Sequence, residues 1–402
     1  MTTQRPKEQN WSVLLGAAFL MATSAIGPGF LTQTSVFTEQ LLASFGFVIL
    51  ISIIIDLIVQ TNIWRIIAVT GRRTQDTANL VMPGLGSLLA ALIVIGGLAF
   101  NIGNVGGAGL GLNVMTGLDA TTGAILSALF AIGIFLFKEA GQAMDRLAQL
   151  LGGVMILLTL YVMFTSHPPY AEAALRTVAP IKFDLFAIIT LVGGTVGGYI
   201  TFAGGHRLLD AGIKGVEALP SVNRGATSAI LIASLMRILL FLAALGVVSS
   251  GAHLDPDNPP ASVFQIAAGD VGYRLFGVVM WAAAITSVVG SAYTSVSFIR
   301  SLHPAIERHH TWITVAFIVL STAVLAAIGK PVAILLAVGA LNALILPIAL
   351  GTMLVAAGRR DLVGDYRHPA WMTWTGWLVV LAMAVLSVRT ILTTLPQLFG
   401  QS

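Results

Sequence analysis

Apolar blocks separated by polar or Pro/Gly-rich breaks run along the whole chain. They predict helices near 11–41, 46–70, 85–115, 121–137, 143–165, 184–212, 226–250, 271–299, 311–328, 331–356 and 370–394. Each block holds roughly 17 to 31 residues, enough for a helix to cross a hydrocarbon layer of roughly 30 Å. Eleven spans result, and the predicted fold class is an all-α membrane protein. The segment 252–262 (AHLDPDNPPAS) has no Lys or Arg, is rich in turn formers and reads as an external loop.

Composition agrees with this pattern. Of 402 residues, 56% are hydrophobic and 9% charged, roughly a third of the charged share of a soluble domain. The lipid bilayer is therefore the expected solvent and partner. The start (MTTQRPKEQN) is polar, and the first apolar block continues without an A-x-A type cleavage site, so the first helix is expected to stay in the mature protein. The absence of cysteine excludes disulfides, thiolate ligands and a Cys nucleophile.

The pI near 9.6 reports topology rather than nucleic-acid binding. With the N-terminus in the cytoplasm, fifteen Lys and Arg residues fall on the inner side: Arg5, Lys7, Arg65, Arg72, Arg73, Lys138, Arg146, Arg207, Lys214, Arg224, Arg300, Arg308, Arg359, Arg360 and Arg367. Five fall outside, namely Arg176, Lys182, Arg274, Lys330 and Arg389, and Arg237 lies within a span. The bias predicts the N-terminus inside and the C-terminus outside.

Two spans carry helix breakers at mid-depth. In span one, Gly27-Pro28-Gly29 removes a backbone donor and frees the flanking chain. In span six, Gly193-Gly194-Thr195-Val196-Gly197-Gly198 places four glycines in six residues, each weakening a helix by roughly 1 kcal/mol relative to Ala. Both helices are expected to break. Gly29-Phe30-Leu31-Thr32 and Gly198-Tyr199-Ile200-Thr201 match position by position at an offset of 169 residues, equal to five helices with their loops. A five-span repeat re-enters the membrane upside down, an inverted-topology repeat whose interrupted helices mark a transporter's central site. The domains expected are a cytoplasmic N-terminus (1–10), repeat one (11–165, helices 1–5), an external loop (166–183), repeat two (184–356, helices 6–10) and an eleventh helix (370–394). Chance matching in a Gly-rich membrane protein, with glycines serving only close helix packing, is the alternative.

In these features the chain resembles the NRAMP (natural resistance-associated macrophage protein) family of proton-coupled divalent-metal transporters, as a divergent bacterial branch. The resemblance rests on helix count and orientation, on Gly27-Pro28-Gly29 in the place of the family's Asp-Pro-Gly-Asn, and on Gly71-Arg72-Arg73-Thr74-Gln75-Asp76, which looks like its Thr-Gly-Lys-Asp-Leu-Ala. It implies a leucine-transporter-like fold of two inverted five-helix repeats, alternating access, and a bacterial cytoplasmic (inner) membrane location. The departures fall on the family's metal ligands. Gly27 stands for its aspartate, Phe30 for its asparagine, and approximately Gly198-Tyr199-Ile200 for its Met-Pro-His. A divalent cation needs several oxygen, nitrogen or sulfur ligands, so no metal-ligating residue is expected. The charged groups that the family places on helices three and nine are also missing, since 85–115 and 311–328 hold no charged residue.

Such a site suits a small organic solute. Half-helix N-termini after Gly29 and Gly198 would point N–H groups at an anionic headgroup. The substrate-binding candidates are Gly27, Gly29, Phe30, Thr32, Asn101, Asn104, Thr195, Gly197, Gly198, Tyr199, Thr201 and Asn342. Phe30 and Tyr199 would wall an apolar or ring portion, or serve helix packing alone. The threonines would supply hydrogen bonds. Asn101 and Asn104 either line the site or bind neighbouring helices. Coupling or gating candidates are Asp56, His206 and Arg237. Asp56 reads as a protonatable coupling residue or as half of a structural ion pair with the repeat-equivalent span seven. His206 reads as a pH-sensitive gate or a solvated helix end.

The expected function is secondary transport, most directly import of a small organic carboxylate (5-oxoproline-like or amino-acid-like) coupled to H⁺ or Na⁺. The alternative is transport of a divalent cation such as Mn²⁺ or Mg²⁺ through an altered, enlarged site. No enzyme is expected, because there is no HExxH pair, Gly-x-Ser-x-Gly elbow or paired acids deep in one span. No selectivity-filter sequence points to a channel. No cofactor and no nucleic-acid partner is expected, and a monomer is compatible with the sequence.

Overall fold

The computed structural model describes residues 26–300 and 304–394. The N-terminus 1–10 and the first half of span one, to residue 25, lie outside the described residues.

Each remaining predicted span finds a helix. Proline starts α1 (Pro28–Leu41) at its first position, where the missing N–H costs nothing. A sharp turn over Leu42–Ser44 leads into α2 (Phe45–Thr70). A short helix α3 (Thr74–Val81) precedes α4 (Leu85–Thr116). The carboxylate of Asp119 accepts from the Thr121 and Thr122 amides and so caps α5 (Ala120–Leu136). Then come α6 (Lys138–Thr165), the external-loop helix α7 (Tyr170–Val178), and span six as α8 (Leu185–Val196) and α9 (Ile200–Asp210). The second half comprises α10 (Leu219–Ser249), α11 (Pro259–Ser297), α12 (Pro304–Arg308), α13 (His310–Ile328), α14 (Pro331–Ala343), α15 (Leu346–Ala357), α16 (Arg360–Val363) and α17 (Ala370–Arg389).

Among the described residues, 8 helical stretches are long and apolar enough to cross a membrane, or 9 with a bent pair counted as one span. That count joins α1 and α2 as one stretch, Pro28–Thr70, and leaves out Ala120–Leu136 as shorter. Three predicted boundaries move. Helix α6 begins at Lys138 rather than 143, and α10 at Leu219 rather than 226, because their polar first turns continue the helix past the apolar block. The predicted external loop 252–262 ends at Asn258, where Pro259 starts α11. A corner at Gly269 (φ 63°, ψ −164°), a conformation open mainly to glycine, separates that outer segment from span eight.

Span ten is interrupted between Ala343 and Leu346, a break the sequence reading does not predict. Its cause is Pro347, which lacks an N–H and whose ring crowds the carbonyl four residues earlier.

Repeat-equivalent spans pack in pairs, α2 along α10 and α4 along α11. Small residues on α4 permit this approach, as is usual between membrane helices. A side chain at Gly111 would meet the Trp281 backbone nitrogen at 2.7 Å, and one at Gly107 would collide with Pro28. Buried side chains form one large cluster through α1, α2, α8, α10, α14 and α15, and a second between α4, α5, α11 and α13. The interrupted spans lie between these supports.

Candidate functional site

Where span one is expected to break, Gly27 is extended (φ −107°, ψ −172°) and α1 starts at Pro28 itself, not after Gly29, because proline is pre-organised for that position. A side chain on Gly27 would stand 3.5 Å from Ser287 Oγ and 3.7 Å from Asn104 Oδ1, so these polar groups flank the break. Gly29 faces Gln33 and Leu335. Thr32 is buried with no hydrogen-bond partner for its hydroxyl.

At the second interruption Gly197 is extended and Gly198 is left-handed (φ 56°). The lower half-helix resumes at Ile200. Asn342, next to the third interruption, fills the space a side chain at Gly198 would need. Its Nδ2 donates to the Gly96 oxygen at 3.1 Å and the Val338 oxygen at 3.0 Å, while its Oδ1 is buried without a partner. Gln33 does the same from α1. Its Nε2 donates to the Leu335 oxygen at 3.1 Å, and its unpartnered Oε1 lies against Gly194. One structural neighbourhood thus joins all three breaks.

Tyr199 stands edge-on to Phe100, with ring centres 5.6 Å apart, and its hydroxyl engages Ser291. Ser291 donates to Asn101 Oδ1 at 2.9 Å, and Asn101 Nδ2 donates to Ser321 Oγ at 3.1 Å. Asn101 therefore turns its polar atoms to α11 and α13 rather than to the breaks, whereas Asn104 turns to Gly27. Thr201 donates to Gln60 Oε1 at 2.9 Å, and Trp64 Nε1 donates to the Thr201 backbone oxygen at 2.7 Å.

The deepest charges meet at one place. Asp56 on α2 and Arg237 on α10, each 3% exposed, line a common cavity with Phe30, Ser52, Ile53, Thr195, Ala233 and Ser234. Its volume of about 10 Å³ is room for about one water molecule. The guanidinium carbon of Arg237 lies 4.0 Å from the Phe30 ring centre, in cation–π range. Arg237 Nη2 donates to Thr195 Oγ1 at 3.3 Å, while the Thr195 hydroxyl donates to the Leu191 oxygen at 2.9 Å. Asp56 interacts electrostatically with Arg237 and abuts Thr195. Asp56 Oδ1 and Arg237 Nη1 are both buried without a hydrogen-bond partner.

His206 is not a solvated helix end. It is 6% exposed, packs between Phe202 and Phe298, and its Nε2 accepts the Thr74 N–H at 3.1 Å, capping α3. Arg73 and Asp210 bridge beside it at 3.0 Å.

Gln33, Phe100, Ser287 and Ser291 are the neighbours that reading the sequence missed. A glutamine one turn past Gly29, in a span otherwise short of amides, is the one with a usable signal. Among the described residues no group of three or more His, Cys, Asp or Glu could hold a metal ion.

The profile of the natural resistance-associated macrophage protein-like (Nramp) family matches residues 18–393. The chain belongs to the Nramp family. It is 62% identical to an uncharacterized Bacillus subtilis membrane protein, YcsG, over 99% of this chain and 98% of that protein. It is 25% identical to the divalent metal cation transporter MntH of Aeromonas hydrophila, over 94% of this chain and 95% of that one. A crystal structure of the Eremococcus coleocola manganese transporter superposes with a TM-score of 0.83 at 18% identity, covering 100% of this chain and 91% of that one. Mhp1, a nucleobase-cation-symport-1 family transporter with bromovinylhydantoin bound, gives 0.57 at 15%, covering 96% and 94%. The fold of this Nramp protein is leucine-transporter-like, and the protein is a multi-pass membrane protein and a secondary transporter.

Proposed function

We propose that this Nramp-family transporter imports a small organic carboxylate, of 5-oxoproline or amino-acid type, with H⁺ or Na⁺ as coupling ion. The observation that carries the reading is the Arg237 guanidinium held over Phe30, beside the break in span one. A fixed cation there attracts a carboxylate and repels a metal ion. Asp56 brings the pair to neutrality, so the site has none of the net negative charge with which proteins hold divalent cations. Gly27, Phe30 and Gly198 stand where the resemblance places metal ligands, and offer no ionised donor. Alternating access would move the two half-helices against the packed pairs around them, with the N-terminus cytoplasmic and the C-terminus outside the inner membrane.

The second reading is a divalent cation such as Mn²⁺ or Mg²⁺. It draws on the relatives described as metal transporters and on the buried, unpartnered oxygens of Gln33 and Asn342.

Thermal-shift measurements on the purified protein in detergent separate the two, because a ligand that binds the folded state raises its melting temperature by mass action. Stabilisation by carboxylates and not by Mn²⁺ or Mg²⁺ is the expected result. Stabilisation by the metals alone overturns the carboxylate reading.

A further inference from the structure

Arg237 touches both interrupted spans. Phe30, under its guanidinium, is the third residue past Gly27, and Thr195, on its Nη2, lies two residues before Gly197. With one face stacked and one nitrogen used, the guanidinium keeps Nη1 buried without a partner. Asp56 Oδ1, also buried without a partner, lines the same cavity. A guanidinium presents paired N–H groups in the geometry of a carboxylate. The only resident carboxylate among the cavity's lining residues is Asp56.

We propose that Arg237 anchors the solute's carboxylate and that Asp56, its counter-charge across the cavity, takes a proton when the solute arrives. The inference rests on the carboxylate reading above. Charge balance drives it. The Asp56 carboxylate and the Arg237 guanidinium sum to zero, and adding a monoanion leaves an uncompensated charge whose burial costs several kcal/mol. One proton from solution, forming an O–H bond on the Asp56 carboxylate, restores neutrality, since Arg237 does not titrate in the working range. The site then holds neutral Asp56 and an Arg237–solute ion pair, so one H⁺ travels with each monoanion.

Other groups do not take this role. Helices α8, α14 and α15 carry no titratable residue, α1 carries only Glu39, which accepts from the Leu254 amide, and α10 adds only Arg224 in its first turns. Arg65 on α2 is taken by Tyr366, His206 on α9 faces Thr74, and Asp210 faces Arg73. Arg207 is exposed near the end of α9, Glu172 and Arg176 of α7 pair with each other, and Arg389 ends α17. Helix α6 carries Lys138, Glu139, Asp145 and Arg146 in its first turns and Tyr161 near its other end, α11 carries Asp270 and Arg274, exposed near the Gly269 corner, with Tyr273 and Tyr293, and Arg360 and Asp361 of α16 are exposed. The cavity admits about one water, so solute entry displaces the Phe30 and Thr195 walls, which lie beside the breaks.

The test is binding of 5-oxoproline, L-proline and L-lactate to the purified protein by calorimetry, in two buffers of different ionisation enthalpy and between pH 5.5 and 8.5. The expected result is uptake of about one proton per bound probe, with Kd weakening about tenfold per pH unit where free Asp56 is ionised. D56N should bind the probes without proton uptake and with a flat pH profile, and R237Q should lose binding. Because either variant can fail to fold, the wild-type buffer comparison stands by itself. Binding by the wild type without proton uptake overturns the exchange and leaves the carboxylate reading intact. Binding of Mn²⁺ with no binding of the three probes overturns both. In proteoliposomes the exchange further requires that a potassium diffusion potential leave probe uptake unchanged, and acceleration by an inside-positive potential would refute it.

Discussion

The Trp64 indole nitrogen donates to the backbone oxygen of Thr201 at 2.7 Å, at the second residue of α9. The ring reaches that carbonyl because Gly204, one turn on, has no side chain to obstruct it. Gln60 Oε1 holds the Thr201 hydroxyl one turn earlier on α2, so the half-helix below the break is tied to span two. Trp64→Phe keeps most of the packing and removes the donor from a fully buried carbonyl. We expect a loss of about 1 to 3 kcal/mol, read as a lower melting temperature in detergent, and no effect of this size for Thr61→Val, whose hydroxyl only supplements its own helix.

Gly198 combines a left-handed backbone with a close neighbour in Asn342. An alanine there is strained by roughly 1 to 2 kcal/mol from its backbone alone, and its methyl collides with the amide. Uptake by Gly198→Ala should therefore fall sharply in proteoliposomes. Adding Asn342→Ala should recover part of the loss, since it removes the collision but not the strain. Full recovery would mean that backbone conformation at the break is unimportant.

His368 lies in the loop before α17, with its Nε2 2.8 Å from Asn62 Oδ1 and its Nδ1 3.0 Å from the Tyr366 hydroxyl. Burial, and then the Arg65 charge, lower its pKa to about 4. An unfolded histidine takes its proton near pH 6.5. The folded state therefore binds this proton less readily than the unfolded one, so the contribution is whole above about pH 6.5 and is lost as pH falls toward 4. The melting temperature of His368→Gln should decline less between pH 7 and 4.5 than that of the wild type, and parallel curves would contradict this.

At the same end of the bundle, two contacts of different worth join α9 to α3. The Arg73–Asp210 pair is well exposed, with side-chain exposures of 34% and 59%, and Asp210→Asn should cost less than about 1 kcal/mol. His206→Ala removes the acceptor for the first amide of α3 and opens a buried gap between Phe202 and Phe298. A cost of about 2 kcal/mol or more is expected. The two melting curves, recorded side by side at low and high salt, give the ranking, and only the Asp210 variant should respond to salt.

How much of this was legible depended on how local each cause is. Glycine and proline act where they stand, so the helix start at Gly27-Pro28 and the break at Gly197–Gly198 could be read directly. The break at Ala343–Leu346 has the same cause in Pro347, but a uniformly apolar run concealed it. Asp56 and Arg237 were visible as charges in lipid-length segments, and the relation of spans two and seven placed them opposite each other. Which way an intramembrane amide turns was not visible. Asn101 and Asn104 lie three residues apart, about 60° around one helix, yet one meets Ser291 and Ser321 and the other the first break. Serine partners at separations of 190 and 220 residues leave no pattern in the chain. His206 reads from the sequence as a gate or a solvated end, and its burial was not visible for a similar reason, since its partner, the Thr74 amide, belongs to a helix too short to register as a span.

The run of contacts from Tyr199 through Ser291 and Asn101 to Ser321 is built wholly of hydroxyl and amide groups. Nothing in it can store a charge, but it bolts four elements together across the middle of the bundle. Spans three, eight and nine are thereby braced together, and Tyr199 ties the second break to them. The backbone joints at Gly27, Gly198 and Leu344–Ile345 lie beside this braced frame. Loosening the bolts, by contrast, would free the second break from spans three, eight and nine.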